Sequence, residues 1–492
     1  YSLFMLALAR KELSACSFRL FIGEKPILPQ TIEDLPTKAT EEELKEAFVD
    51  EWGVKYSKDG RKLLKAPKKL DGIYSIRKGT KIICEEAFRW SKTIGCLFLN
   101  SLVIPDSVTN IGDYAFWGCK SLKSLVIPDG VTSIGDCAFY DCESLKSLVI
   151  PDSVTSIGKS AFLNCKSLKS LVIPDSVTHI GNGAFKACSS LKSLVIPASV
   201  GNIIGNPFSG WNGELKCLSP YFIYDNKVLF DKDKSKIIAF RDKNTTSYVI
   251  PDSVSCIEFG AFWNCHSLKR LVLPDSVSSI GDWAFWNCRS LTDIVIPDSV
   301  NNIGDRVFSG CCSLKSLVIP DSVSSIGESA FEDCTSLSSL VIPEGVTSIG
   351  HCAFRGCYSL SNIVIPNGVT SIGASAFSRC KSLVEVVIPD SVSCIGSGAF
   401  YDCKSLHSIV IPDSVSCIGF GAFENCSSLA DIVIPDSVTS IGRDAFFCCE
   451  SLKSLVIPNS VTSIGNCAFG GCSFPYDLKQ ELISRFGDKI FG

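Results

Sequence analysis

Residues 121–143 read SLKSLVIPDGVTSIGDCAFYDCE, and the chain repeats this stretch with few changes from Ser144 and again from Ser167. The proline after each Val-Ile pair recurs every 23 residues, from Pro105 to Pro197 and then from Pro251 to Pro458. Self-similarity at a fixed period of roughly 20–50 residues is typical of solenoids, propellers and arrays. The sequence therefore predicts stacked turns rather than a compact domain.

The apolar positions within each unit indicate which kind of solenoid forms. Leucines three residues apart, followed by an isoleucine two residues later, match the strand signature of leucine-rich repeats, whose units are roughly 20–29 residues long. We expect a short parallel strand at this position, and a single helical or 3-10 turn at Ala138-Phe139. The positions predicted to be buried in nearly every repeat are Leu122, Leu125, Ile127, Val131, Ile134, Phe139 and Cys142.

The full string L-x-x-L-x-I-P-x-S-V-x-x-I-G-x-x-A-F-x-x-C resembles the BspA-like leucine-rich repeat family from about residue 73 to residue 472. The resemblance implies an α/β-type leucine-rich-repeat solenoid dominated by β-structure, a curved array of about 16 turns. It also implies that some relatives are cell-surface adhesins that bind host or matrix proteins. Such repeats are a general recognition scaffold, so the resemblance names no ligand.

The proline spacing breaks once, between Pro197 and Pro251. A predicted hairpin, Val228–Ala239, fills part of that gap, and it matches a second predicted hairpin, Val54–Ala66, at an offset of 174 residues. Helical spacing at Asp477–Phe486 predicts a capping helix, and Thr40 with Glu43 predicts a capping box. We divide the chain into an N-terminal segment with a short helix (1–53), a first block of hairpin and repeats (54–208), a hairpin insertion (209–248), a second block of repeats (249–472) and a C-terminal cap helix (473–492).

Composition argues against several classes of partner. The net charge of −4 does not suggest a nucleic-acid partner, which would need a basic stripe. No apolar run approaches the roughly 18 residues of a membrane-spanning helix. Residues 1–9 (YSLFMLALA) are apolar but lack the basic n-region of a signal peptide, which favours an ordinary buried segment over a signal remnant.

Cysteine usage bears on the compartment. Of 26 cysteines, fourteen lie three residues after the repeat phenylalanine, no C-x-x-C occurs, and the others are scattered over several positions. This pattern favours buried free thiols over disulfides or metal, and hence a reducing, cytoplasmic location. A cell-surface or secreted location is the alternative.

Nothing in the sequence indicates an enzyme. The four histidines occupy four different repeat positions, and no nucleophile elbow or phosphate loop is present. Aspartate follows most of the repeat prolines, but Pro-Asp-Ser is turn chemistry, and Ala198 at this position has no side-chain oxygen for calcium. We therefore predict no catalytic, cofactor-binding or metal residues.

The outward side of the strand is the candidate binding face. Period two places the Ser124 and Val126 positions outward, and the Val126 position is valine in all fifteen copies. Either a partner covers these valines, or they reflect strand propensity copied by duplication. The predicted face comprises Val272, Arg270, Asp293, Val295, Asn362, Val364, Glu385, Val387, Asp431 and Val433. The function classes that remain are a scaffold that binds protein partners, a cell-surface adhesin, and a structural array without a single ligand.

Overall fold

A computed structural model describes residues 36–91 and 94–492. The apolar segment 1–9 lies outside these residues. The 23-residue units coil into a β-solenoid of about 17 turns with parallel strands and few helices. Most turns contribute two short strands and one turn-rich segment, and equivalent residues of successive turns lie side by side.

The first strand of each turn carries the Ser-Leu-Val sequence. Its middle residue is buried and its outer two are exposed, as in Ser124–Val126, and Leu125 aligns with Leu148 of the next turn. Strands of this kind, with their equivalents beside the hairpins, are Asp71–Ser75, Phe98–Val103, Ser124–Val126, Ser147–Val149, Ser193–Ile196, Glu214–Cys217, Ser247–Val249, Arg270–Val272, Ser316–Val318, Ser339–Val341, Asn362–Val364, Glu385–Val387, Ser408–Val410 and Asp431–Val433.

The second strand is two residues long and ends on a buried isoleucine. Ile134 aligns with Ile157 of the next turn, so these strands form a second parallel sheet along the solenoid. They are Ile82–Ile83, Asn110–Ile111, Ser133–Ile134, Ser156–Ile157, His179–Ile180, Asn202–Ile203, Cys256–Ile257, Ser279–Ile280, Ser325–Ile326, Ser348–Ile349, Ser371–Ile372, Cys394–Ile395, Cys417–Ile418, Ser440–Ile441 and Ser463–Ile464.

The predicted helical turn around Ala138-Phe139 takes the form of successive tight turns. The Tyr140 N–H donates to the Cys137 carbonyl three residues back, as in a 3-10 helix. However, Cys137 (φ 53°) and Asp141 (φ 58°) adopt left-handed backbone conformations, which interrupt any continuous helix. The position of Asp141 is mostly Gly, Asp or Asn in other repeats, the residues that tolerate this conformation best.

The core is a set of columns along the solenoid, and the predicted burial is confirmed. Leu122, Val131 and Phe139 have no exposed surface, and the other predicted positions are nearly as buried. The phenylalanines stack on each other from turn to turn, with 5.5 Å between the ring centroids of Phe139 and Phe162. Stacked rings add to the free energy gained by burying their area.

Two antiparallel hairpins interrupt the parallel order. Each contains one more strand than the sequence suggested, a short strand that precedes the predicted pair. The strands are Phe48–Val49, Lys55–Tyr56 and Lys62–Lys65 in the first hairpin, and Phe222–Asp225, Val228–Asp231 and Lys236–Phe240 in the second. The last strand of each pairs in parallel with the solenoid, so both hairpins start a run of turns.

The second hairpin joins two hydrophobic cores. Leu229 and Ile238 pack into the core of the first block, whereas Val228, Phe230 and Ile237 pack into the core of the second. Since successive side chains of a strand point to opposite faces, one hairpin can serve both cores. The solenoid therefore continues through the insertion.

Short helices lie at both ends of the described chain. Helix Glu41–Lys45 has the predicted capping box, in which the Thr40 hydroxyl accepts from the Glu43 N–H. Its Leu44 packs on Leu64 and Ile82 of the first hairpin region. At the other end, helix Tyr476–Phe486 buries Leu482 against the last turn, and a 3-10 helix follows at Asp488–Ile490. The C-terminal helix therefore covers an end of the core, whereas the N-terminal helix packs on a small apolar cluster separate from it.

Candidate recognition surface

The fifteen repeat valines are exposed in two columns, five in the first block and ten in the second, and the insertion separates them because Val195 pairs with Lys216. We call these valines and the residues beside them the valine face. Their exposed fraction runs from 38% at Val272 to 83% at Val456, with most near 70%. Period two explains the orientation, because Leu125 must point inward on the same strand. A contiguous apolar column of this length is unusual on a monomer, where exposed patches rarely exceed a few hundred Å².

The residues predicted to set selectivity lie beside this column and point to solvent. Arg270 aligns with Asp293 of the next turn, and Asn362 aligns with Glu385. Glu385 aligns with Ser408 of the following turn, and Ser408 aligns with Asp431 of the turn after that. The structure thus brings the predicted residues into one line of adjacent repeat positions on the second block, flanking Val272, Val295, Val364, Val387 and Val433.

The second block is strongly acidic along part of this face. Over the five repeats that carry Val341 to Val433, the positions flanking the valines hold six carboxylates and no lysine or arginine. All six are exposed, and none forms an ion pair within the part of the chain that the structure describes. They are Glu344, Glu385, Asp390, Asp413, Asp431 and Asp436.

The first block presents a different charge pattern, which our sequence reasoning missed. Lys123, Lys146, Lys169 and Lys192 occupy the same position in four successive turns, before the serine and valine; we call them the lysine stripe. Asp106, Asp129, Asp152 and Asp175 follow the prolines and form an aspartate stripe on the other side of the valines. The signal was present in the sequence, as one residue type recurring every 23 positions.

Valines and aspartates of the first block share one shallow groove. Its lining includes Val149 and Val172 on one side and Asp152 and Asp175 on the other. The lysines lie at the opposite edge, where the Lys146 N–H donates to the Lys123 carbonyl at 3.0 Å in the ladder between turns. The order across the face is therefore lysine, serine, valine, then aspartate.

The cysteine column has a structural role. The Cys142 thiol donates to the Phe116 carbonyl at 3.3 Å, and nearly every later column member repeats this contact with the preceding turn. Burial disfavours the thiolate and raises the pKa of Cys188 to about 12. These thiols are inert donors that fit a narrow position in the core.

Cys265, the first column member of the second block, is an exception. Its burial alone would raise its pKa, but the hydrogen bond with the Cys288 thiol and the Lys243 ammonium oppose this effect. Lys243 Nζ lies 3.3 Å from Cys265 Sγ. The net result lowers the pKa of Cys265 below the ordinary value of a thiol, although the side chain is only 1% exposed.

Free thiols were predicted throughout, and that prediction is wrong for one pair. Cys394 and Cys417, on adjacent turns of the second sheet, form a disulfide with 5.2 Å between their Cα atoms. Parallel pairing places identical positions one strand spacing apart, within disulfide reach. The 23 other described cysteines are free thiols.

Residues 36–91 and 94–492 contain no cluster of metal-ligating side chains. No three His, Cys, Asp or Glu side chains in these ranges approach one another as metal ligands would. His351 Nδ1 accepts a hydrogen bond from the Ala374 N–H of the next turn at 2.9 Å. None of the helices described there is both long enough and apolar enough to cross a bilayer.

Together, stacked parallel strands, phenylalanine and cysteine columns and an open strand face define a leucine-rich-repeat solenoid. The BspA type leucine-rich repeat region matches residues 81–213, 236–361 and 347–475, which is most of the chain. The chain therefore belongs to the BspA type leucine-rich repeat family. A search of curated proteins finds no similar sequence.

Solved structures to which this chain is similar include one bacterial cell surface protein. A leucine-rich cell surface protein from Faecalibacterium prausnitzii is 31% identical, covers 64% of this chain and 94% of its own, and superposes with a TM-score of 0.50. The pneumococcal vaccine antigen PcpA is 25% identical over 69% of this chain and 90% of its own, with a TM-score of 0.51. A leucine-rich repeat protein from Bacteroides ovatus is 28% identical over 90% of this chain and 95% of its own, with a TM-score of 0.46.

Proposed function

We propose that this chain is a non-enzymatic scaffold that binds protein partners on the valine face, mostly between Arg270 and Asp431. The observation that carries the proposal is the exposed valine of every repeat, ten of them in the second block, which has no role in the core. Solenoids use such extended surfaces for binding, and apolar contact area flanked by charges is typical of protein interfaces. The valines form an apolar floor, and the flanking charges select the partner.

Matched variants on one scaffold test this proposal. Val364→Ser, Val387→Ser and Val410→Ser together remove apolar contact at exposed positions and leave the core unchanged. A control variant changes two exposed residues away from the valines, Ser371→Thr in a strand of the second sheet and Ser393→Thr directly before the next strand. Proteins retained from extracts by the wild-type chain should be lost from the valine variant and kept by the control. Retention by the valine variant would place the binding site elsewhere, most simply on the two hairpins.

A second candidate function, a cell-surface adhesin, has two specific observations in its favour. One is the 31% identity to a leucine-rich cell surface protein. The other is the Cys394–Cys417 disulfide, because disulfides persist mainly in oxidising compartments. Surface biotinylation of intact source cells tests it directly. Labelling of the chain without lysis supports the adhesin, and labelling only after lysis contradicts it.

A further inference from the structure

The first block carries charges that the fold does not require. In the second block the position equivalent to the lysine stripe is lysine in three repeats, Lys269, Lys315 and Lys453, but six other repeats hold Thr292, Ser338, Ser361, Val384, His407 and Ala430 on the same backbone. The repeat therefore folds without a lysine at this position. Four lysines stacked one strand spacing apart repel one another, and none forms an ion pair within the described residues. The arrangement is unfavourable unless something with negative charge lies against it.

The chain itself carries a matching negative pattern. The aspartate stripe has four members, like the lysine stripe, and it has the same repeat spacing and lies on the other side of the same valines. Neither stripe reaches the other, because the valine column separates them. The two stripes can meet only between two copies of the chain.

We propose that the first block pairs with the first block of a second copy through the valine face. A twofold axis that runs along the solenoid in the contact plane places valine on valine and sets each lysine stripe against the other copy's aspartate stripe. An axis along the strands would instead place lysine on lysine. The charge pattern thus selects one parallel arrangement, an isologous contact in which both halves are equivalent.

The size of the contact sets its strength. The contact is five turns long, with about 4.8 Å between neighbouring strands. Its width is about seven residues, from the lysine to the aspartate of one turn. These dimensions give an area on the order of 500 Å² per copy. Interfaces of this size are weak or transient, so we expect a dissociation constant on the order of micromolar. In the second block only Lys269, Lys315 and Lys453 occupy the lysine position, and in the five repeats from Val341 to Val433 the same arrangement would bring carboxylates together without any lysine. Four successive turns with a lysine at this position occur only in the first block, so the pairing is proposed for that block, and it goes beyond the binding function proposed above.

Two complementary variants of the full chain test the pairing. In the acidic variant, Lys123, Lys146, Lys169 and Lys192 become glutamate, and in the basic variant Asp106, Asp129, Asp152 and Asp175 become lysine. All eight positions lie outside the core, so folding, checked by circular dichroism and thermal melting, should be unchanged. A control variant carries Asp390→Lys, Asp413→Lys and Asp436→Lys at the equivalent turn position of the second block.

Sedimentation equilibrium at low ionic strength measures the dissociation constant of the dimer for each variant. We expect the wild type and the control to form a dimer that weakens about tenfold or more between low and physiological salt. The acidic and basic variants should each be monomeric, and their mixture should form a heterodimer. A wild type that is monomeric up to about 100 times the expected micromolar constant would overturn the proposal. So would variants that dimerise alone, or a mixture that stays monomeric.

Discussion

The two blocks of repeats share one scaffold and differ on one face. Phe162 and Phe331 are both fully buried, and both stack between the phenylalanines of neighbouring turns. On the outer side, however, five repeats of the first block balance four lysines against four aspartates, whereas five repeats of the second block carry six carboxylates and no lysine or arginine beside the valines. The same fold can therefore present two chemically distinct surfaces, because inward and outward positions alternate along each strand.

Removing a core phenylalanine should give the largest loss of stability, and the loss should be equal in the two blocks. Phe162→Ala and Phe331→Ala each remove a fully buried ring from the stack and should cost about 3–5 kcal/mol of the free energy of unfolding. Because each turn contacts only its neighbours, each substitution should loosen its own block first. Hydrogen exchange read by mass spectrometry localises the loss. Protection that fell uniformly over both blocks would show that they unfold as one unit.

Removing the disulfide should lower the stability of the second block and not that of the first. Cys394–Cys417 closes a stretch of 23 residues, for which the chain-entropy model gives about 3 kcal/mol. Cys394→Ser with Cys417→Ser should therefore destabilise the second block and leave exchange in the first unchanged. Cys256→Ser, at the equivalent unpaired position, is the matched control. If the paired variant behaves like this control, the disulfide contributes nothing to stability.

A smaller loss of stability is expected where the two blocks contact each other. Asn206 is 3% exposed, and its Nδ2 donates to the Gly260 carbonyl of the second block at 2.8 Å. Asn206→Ala leaves that buried carbonyl unpaired and should cost about 1–3 kcal/mol. It should also separate thermal unfolding into two transitions in a calorimeter. Ser276→Ala removes a hydrogen bond to Val254 within one block and should leave a single transition.

The smallest effect on stability, and a clear effect on binding, is expected at the face itself. Asp293→Lys, Glu385→Lys and Asp431→Lys together change exposed charges and should shift the free energy of unfolding by less than about 0.5 kcal/mol. Affinity for a protein captured by the wild type should fall about tenfold or more. The equivalent reversal of Lys123, Lys146 and Lys169 to glutamate is the comparison, and it should leave that affinity unchanged.

Much of the fold could be predicted because the same pattern of apolar positions recurs in every repeat. Leu125 and Ile127 are two residues apart in every unit, so their burial and the outward direction of Val126 follow from the geometry of a strand. The capping box at Thr40 could also be predicted, because its hydrogen bonds are local in sequence.

Features that depend on distant contacts could not be predicted. Phe48–Val49 is too short to show an alternating pattern, and it forms a strand only because it pairs with Lys55–Tyr56. The Cys394–Cys417 disulfide joins one pair among many cysteines at the same 23-residue spacing. The division of the second hairpin between two cores depends on which turns pack on each side of Leu229.

The central claim is that protein partners bind the valine face of the second block. Hydroxyl-radical footprinting of the full chain, with and without a protein captured by the wild type, tests it residue by residue. We expect protection at the valines from Val272 to Val433 and no change at Trp52 or Phe420, which are exposed away from this column. Protection of the hairpins or of the turns around the phenylalanine column, with the valines unchanged, would contradict the account.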